Sequence, residues 1–183
     1  MLVCLFSAAL YGVDAIEVEV EVNHIKRDKF NLQIVGLPDA AVRESSQRVL
    51  SAIGNSGLSY GKGINTINLA PAELRKEGPS FDLPIALAIA ACGMEKNIPF
   101  YDQYVIVGEL GLDGTVRPVR GVISIALEAR NKGKSRLIVP TANAEEAAVV
   151  EGIDVFGVDS LSDAWLMITG ELSRAPVEVD RNS

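Results

Sequence analysis

The stretch Ile16-Glu17-Val18-Glu19-Val20-Glu21-Val22-Asn23 alternates apolar and polar residues over its whole length. Because successive side chains of a β-strand point to opposite faces, this pattern predicts a strand with one buried face and one solvated, acidic face. Phe30, Leu32 and Ile34 repeat the alternation, and the polar residues 26–28 suit a turn between two neighbouring strands. We therefore expect the chain to open with antiparallel strands.

The residues that precede this stretch, 2–10, are apolar but do not follow the basic segment that begins a secretory signal peptide. We interpret them as a further strand. No apolar run reaches the ~20 residues that are needed to span a bilayer, so a membrane partner is not expected.

Beyond these strands the apolar residues change to helical spacing. Val42, Ser46, Val49 and Ile53 recur every three or four residues, and Asp39 before them suits the N-cap of a helix. Later strands are expected at 104–107, 137–139 and 155–158, with a hairpin turn at Asp113-Gly114 and helices beginning near Val122, Asn143 and Ser160.

Residues 81–92 are apolar all round except for Asp82, which predicts a central helix that is buried on every side. Pro84 suits the first turn of that helix, where an amide hydrogen is not needed. Antiparallel strands followed by strand–helix alternation predict one α/β (α+β) domain over residues 1–170. We interpret residues 171–183, where the pattern fades, as a tail or a truncated linker.

Charge is unevenly distributed in this 183-residue chain of net charge −7. Residues 117–136 carry six basic side chains and one acidic one, whereas residues 145–183 carry nine acids and two arginines. The acidic total argues against a free-standing nucleic-acid-binding protein but leaves room for a local basic face. Cys4 and Cys92 lie in apolar runs, which favours buried thiols in a reducing, cytoplasmic setting over a disulfide.

The segment Arg75-Lys76-Glu77-Gly78-Pro79-Ser80 places two cations, a turn and a serine before the buried helix. Helix N-termini bind anions and can form an oxyanion hole beside a nucleophile, so Ser80 is a candidate nucleophile. The alternative is that Ser80 only caps the helix while the cations are solvated. A nucleophile needs a base, and the candidates are His24, Lys132 and Lys134.

Two other kinds of site find little support. The glycine-rich run 108–114 lacks the Gly-Lys-Ser/Thr of a phosphate-binding P-loop, so no nucleotide-binding residues are expected in this chain. Glu17, Glu19 and Glu21 could suggest a divalent cation, but carboxylates on the wet face of a strand are usually only solvated. With His24 as the sole histidine, no metal ligands are predicted.

Four long runs resemble the N-terminal domain of the ComM (YifB) family of magnesium-chelatase-like (ChlI-type) AAA+ ATPases. They are Ser7-Ala8-Ala9-Leu10-Tyr11-Gly12-Val13, residues 34–45 (IVGLPDAAVRES), residues 67–86 (INLAPAELRKEGPSFDLPIA) and residues 107–121 (VGELGLDGTVRPVRG). The resemblance implies the fold of the second domain of a small-subunit ribosomal protein, shared with the Lon protease domain and the C-terminal domain of RadA.

The resemblance also implies that an AAA+ domain, which would bind ATP and magnesium, follows this one. The intact protein would form a homo-hexamer and act in ATP-driven DNA branch migration and natural transformation rather than in metal insertion into porphyrin. Within this domain the expected partners are its own AAA+ domain, neighbouring subunits and DNA. The contact residues would be Arg75, Lys76, Arg117 and Arg120.

The likeness to Lon bears directly on Ser80. Glu77-Gly78-Pro79-Ser80 resembles the run that holds the Lon nucleophile, and the position that matches the Lon lysine is Ile125. An isoleucine cannot act as a base, so the dyad is broken and Ser80 is a degenerate nucleophile position. The chain is therefore expected to be non-catalytic. The alternatives are a Lon-like Ser-Lys peptidase, which Ile125 disfavours, and a stand-alone oligomerisation module.

Overall fold

The computed structural model describes residues 1–72 and 79–179. It contains nine strands, five α-helices and two 3-10 turns within those residues. In chain order they are β1 (Leu2–Tyr11), β2 (Asp14–Ile25), β3 (Asn31–Val35), α1 (Asp39–Asn55), β4 (Ile64–Ala70), a 3-10 turn (Pro79–Phe81), α2 (Asp82–Gly93), a second 3-10 turn (Tyr101–Gln103), β5 (Tyr104–Ile106), β6 (Glu109–Leu110), β7 (Val116–Arg117), α3 (Val122–Asn131), β8 (Arg136–Pro140), α4 (Thr141–Ala147), β9 (Asp154–Val158) and α5 (Leu161–Ile168).

The first sheet has the strand order β1-β2-β4-β3. β1 and β2 form the expected antiparallel hairpin, with Gly12 at a φ of 66° in the turn. The expected pairing of β3 with β2 is wrong, because β4 lies between them and runs antiparallel to β2 and parallel to β3. Parallel neighbours need a crossover connection, and α1 supplies it between β3 and β4.

The two faces of β2 are both covered. Val18, Val20 and Val22 are fully buried in the main core, as the alternation predicts. The opposite face is less wet than expected, because Glu17, Glu19 and Glu21 are half-buried. α3 packs over this face, and the Glu17 amide donates to Glu128 Oε2 at 3.1 Å. Within residues 1–72 and 79–179, no three acidic, histidine or cysteine side chains form a group that could hold a metal ion.

Helix α2 is the centre of the domain, and residues 82–92 are all buried, with Pro84 in its first turn as predicted. The predicted N-cap at Asp39 is wrong, because Asp39 is the first residue of α1 and makes no capping hydrogen bond. α4 begins at Thr141, two residues before Asn143, near which its start was expected. Ser160 does cap α5, because its hydroxyl accepts from the Asp163 amide at 3.1 Å.

A second sheet, β5-β8-β9, is entirely parallel, and β6 and β7 form a short hairpin beside it. The Asp113-Gly114 turn is confirmed: the Asp113 carboxylate accepts from the Thr115 amide at 3.0 Å, and Gly114 has a φ of 90°. Its hydrogen bonds to Thr115 lower the pKa of the Asp113 carboxyl.

Residues 171–179 contain no helix or strand, yet they pack against the second sheet. Arg174 pairs with Asp163, and the Val177 amide donates to the Val155 carbonyl at 2.7 Å. The predicted domain boundary at residue 170 stays a prediction. No helix in the described part of the chain is long and apolar enough to cross a bilayer.

Candidate functional site

A cavity of about 400 Å³ lies where the end of β1 meets the start of α2 and the loop before α3. It brings together the two sequence runs that surround Ser80 and Arg120. Its walls come from β1, the first 3-10 turn, β6, the loop before α3, and α3, and they consist of Ala8, Ala9, Leu10, Pro79, Ser80, Glu109, Pro118, Val119, Arg120 and Ile125.

Ser80 lies in the 3-10 turn that leads into α2. Its carbonyl accepts from the Gly108 amide at 3.0 Å, and the Gly108 carbonyl accepts from the Leu83 amide at 3.0 Å. These bonds hold the turn against the chain that leaves β5. The prediction that Ser80 caps α2 is wrong, because Phe81 occupies the cap position with φ −85° and ψ −8°, and no side chain caps the helix there. A capping side chain needs an extended backbone at its own residue, directly before the helix.

Ile125 lies in the first turn of α3 and lines the same cavity as Ser80. The structure therefore places the two positions together, and it confirms that Ile125 is buried, with 2% of its surface exposed. An isoleucine offers no lone pair to accept a proton from the Ser80 hydroxyl. The cavity therefore brings Ser80 and Ile125 together, and none of its described lining residues is a lysine.

The other candidate bases lie elsewhere. Ala9 pairs with Ile16, and His24 lies eight residues farther along β2, which at roughly 3.3 Å per residue is about 26 Å away. His24 is half-buried rather than on the surface, and its Nδ1 lies 2.8 Å from Asn65 Oδ1. Lys132 and Lys134 follow the carboxyl end of α3, and neither lines the cavity.

Of the four predicted contact residues, the structure describes two. Arg120 is exposed and lines the cavity, and Arg117 is exposed on β7, three residues earlier. Arg75 and Lys76 lie outside the described residues. Glu109 is the acidic side chain of the cavity wall and is half-buried. An anion could therefore reach Arg120 from solvent, but the described walls carry no lysine or histidine that could activate Ser80.

Sequence reasoning missed a buried polar cluster behind this site. Asp82, 1% exposed, accepts hydrogen bonds from Arg48 Nε at 2.6 Å, Arg48 Nη2 at 3.1 Å, Ser45 Oγ at 2.9 Å and the Leu110 amide at 3.2 Å. The cluster joins α1, α2 and β6. A lone carboxylate in an apolar helix was the available signal, since a buried charge must be paired.

Burial raises the pKa of the Asp82 carboxyl, while its hydrogen bonds to Arg48, Leu110 and Ser45 lower it. The hydrogen bond to Asp82 raises the pKa of the Arg48 guanidinium, so that side chain stays charged. Both carboxylate oxygens accept hydrogen bonds, and the group is shielded from solvent. The cluster is therefore built to hold elements together rather than to exchange protons with solvent.

The thiols are not candidates for nucleophilic chemistry. Cys4 is half-buried and Cys92 is buried, both are free, and burial raises the pKa of Cys4 to about 12 and that of Cys92 to about 11. The thiolate is the reactive form, and it is scarce at neutral pH when the pKa is so high.

We expect a serine-reactive fluorophosphonate to leave Ser80 unmodified, because no lysine or histidine among the described residues lines the cavity beside its hydroxyl. Mass spectrometry of the intact chain measures the modification. Ser80→Ala should also change the melting temperature by only a degree or so, since no capping bond is removed. Stoichiometric labelling of Ser80 that disappears in Ser80→Ala would contradict this and favour the peptidase alternative.

Comparison with known proteins identifies the family. The family model described as "Subunit ChlI of Mg-chelatase" matches residues 18–143. YifB of Escherichia coli is 42% identical over 163 residues, which cover 89% of this chain and 32% of that protein. The competence protein ComM of Haemophilus influenzae is 39% identical over 170 residues, covering 93% of this chain and 33% of that protein.

A more distant relative supports the expected fold. Lon protease 2 of Bacillus subtilis is 23% identical over 194 residues, covering 95% of this chain and 34% of the protease. The chain thus spans about one third of the length of the relatives it matches. Since the ChlI model covers most of the chain and YifB and ComM align with nearly all of it, the chain belongs to the ChlI family of magnesium-chelatase-like proteins.

Proposed function

We propose that this chain is the non-catalytic N-terminal domain of a ComM-type AAA+ ATPase. The observation that supports the non-catalytic assignment is the cavity that Ser80 shares with Ile125, because the resemblance to Lon would place the lysine at Ile125. In the proposed protein the AAA+ domain binds ATP and magnesium, and the subunits form a homo-hexamer in the cytoplasm. The hexamer drives DNA branch migration and serves natural transformation.

The proposal rests on two further lines of support. YifB and ComM are about 40% identical to nearly the whole chain, and the chain covers only a third of each, which leaves length for an ATPase domain. Reading the coding sequence beyond Ser183 tests this directly. A Gly-x-x-x-x-Gly-Lys-Ser/Thr motif downstream is expected, and an open reading frame without one would favour a stand-alone oligomerisation module instead.

Within the ATPase, we propose that this domain contributes contacts to DNA or to a neighbouring subunit through Arg117 and Arg120. Both guanidinium groups are exposed, and neither pairs with a carboxylate in the described part of the chain. Unpaired arginines suit phosphate oxygens on DNA and carboxylates on a protein surface equally well. Arg75 and Lys76 remain part of the proposed face as sequence-based candidates.

Changing Arg117 and Arg120 together to alanine is expected to weaken DNA binding or subunit assembly of the intact protein. For duplex DNA, the slope of log K against log salt should fall by about 0.9 for each phosphate that the protein no longer neutralises. Fluorescence anisotropy over a salt series measures the slope, and sedimentation velocity measures assembly. The double variant Lys26→Ala, Arg27→Ala is the matched control. These two exposed cations follow the carboxyl end of β2, whereas the cavity lies at its amino end. An unchanged result in both assays, or an equal effect in the control, would contradict a role for this face.

We expect the 183-residue chain to bind ATP only weakly, because it has no P-loop to cradle the phosphates. Isothermal titration calorimetry with ATP and magnesium should give no heat that fits a micromolar dissociation constant. A saturable micromolar isotherm would show a nucleotide site inside this domain and would overturn the expectation.

A further inference from the structure

A second cavity, of about 260 Å³, lies at the other end of the parallel sheet from Ser80. Tyr104 and Arg136, which pair at the first residues of β5 and β8, line it, whereas Ser80 is bound to Gly108 beyond the last residue of β5. Phe100, in the segment before β5, forms another part of its wall. No residue of this cavity belongs to the face that contains Arg117 and Arg120.

Arg136 lines this cavity, and several of its hydrogen-bond donors are unused. Its guanidinium carbon lies 5.6 Å from the centre of the Phe100 ring and 5.4 Å from that of Tyr104, and its Nη1 donates to Tyr104 Oη at 2.9 Å. A guanidinium has five N–H donors. In the described part of the chain Arg136 pairs with no carboxylate, whereas the neighbouring Arg174 is neutralised by Asp163.

Phe100 is presented to solvent at a conformational cost. Its side chain is 66% exposed, and its φ of 58° places a bulky residue in the left-handed region. Such backbone strain persists only where the surrounding structure imposes it, and it is concentrated at binding sites. Tyr101, the next residue in the chain, is 47% exposed, so two consecutive residues offer aromatic rings to solvent.

Further cations border the same turn. Lys134 Nζ donates to the Asp102 carbonyl at 2.7 Å, which ties the loop before β8 to the 3-10 turn Tyr101–Gln103. Lys132, two residues earlier, is exposed. Lys134 Nζ also lies 3.5 Å from the centre of the Phe6 ring on β1, so this lysine lies near the turn but does not line the cavity.

We propose that this cavity, with Phe100 and Arg136 in its wall, forms a binding site for single-stranded nucleic acid. A base stacks on the free face of Phe100, and the neighbouring phosphate takes the unused donors of Arg136. The volume suits about one nucleotide. An acidic peptide would engage the cations but would have no use for an exposed, strained phenyl ring.

Fluorescence anisotropy with a labelled oligothymidylate of about 15 nucleotides tests the site in the 183-residue chain. Phe100→Asn should weaken binding by about tenfold or more, because each base–aromatic stack is worth a factor of that order. Asparagine tolerates the left-handed region, so the melting temperature should stay the same or rise. Phe100→Trp should keep the affinity.

Arg136→Gln is expected to weaken binding and to lower the salt slope by about 0.7, the value for one phosphate contact to a single strand. Arg117→Ala with Arg120→Ala separates this site from the proposed DNA face. If that pair abolishes binding while Phe100→Asn binds as the parent chain does, this proposal fails and the DNA face stands. The reverse result supports this site and shows that Arg117 and Arg120 do not bind the single strand.

Two other outcomes would also overturn the site. One is the absence of measurable binding of the oligothymidylate by the parent chain at low salt. The other is displacement of the oligonucleotide by poly-glutamate, with the same affinity for poly-glutamate in Phe100→Asn as in the parent chain. That result would identify an acidic protein segment as the ligand.

Discussion

Asp82→Ala is expected to lower the free energy of unfolding by about 3–5 kcal/mol, a large part of the ~5–15 kcal/mol that stabilises a typical domain. The substitution removes one partner of a buried ion pair and leaves Arg48 without its carboxylate. It also leaves the Ser45 hydroxyl and the Leu110 amide unpaired in the core. Each unsatisfied buried group costs about 1–3 kcal/mol.

Urea denaturation followed by circular dichroism measures the change. Asp163→Ala is the matched control, because it breaks a second aspartate–arginine pair among the described residues, with Arg174, where both side chains are partly exposed. A partly exposed pair should contribute only about 1 kcal/mol or less. Equal destabilisation in the two variants would show that the Asp82 cluster has no special structural role.

Gly93→Ala should destabilise the domain by about 3 kcal/mol, at the upper end of the usual effect of overpacking. A Cβ atom at this last residue of α2 would lie 2.4 Å from the Tyr60 carbonyl carbon and 2.7 Å from the Ser59 carbonyl oxygen. Both are backbone atoms, which cannot move aside by a change of rotamer. The end of the central helix would have to separate from the loop at 59–61.

Gly54→Ala, near the end of α1, controls for the change of residue type. A Cβ atom there meets nothing within 4 Å, so the substitution should stabilise the domain by about 0.5–1 kcal/mol through helix propensity. Thermal melting of the two variants gives shifts of opposite sign. A neutral Gly93→Ala would mean that the loop at 59–61 is not held tightly against α2.

Period-two alternation was enough to predict β2 and its buried valines, because only a strand puts every second residue on one face. It could not predict the neighbour of β3. Leu32 and Ile34 present the same apolar face to either partner, and the crossover through α1 decides in favour of β4. The buried α2 followed from composition alone, but its capping did not, since that depends on the backbone conformation of Phe81.

Local sequence patterns likewise predicted only part of the candidate site. Ser80 and Ile125 are 45 positions apart, and no local pattern relates them; their pairing came from the resemblance to Lon and is now matched by a shared cavity. Asp82 was visible as a charge in an apolar helix, but its partner could not be named, because several basic residues precede it. The packing of α1 on α2 selects Arg48.

The attachment of residues 171–179 to the body has a mechanical consequence. The Leu172 amide donates to the Leu166 carbonyl at 2.9 Å, Arg174 Nη1 to the Gly157 carbonyl at 2.6 Å, and the Val177 amide to the Val155 carbonyl at 2.7 Å. These anchors succeed one another along the segment, so a pull at residue 179 loads the bond at Val177 first and passes into β9. A displacement of residue 179 would therefore act on the parallel sheet rather than be taken up by a flexible linker.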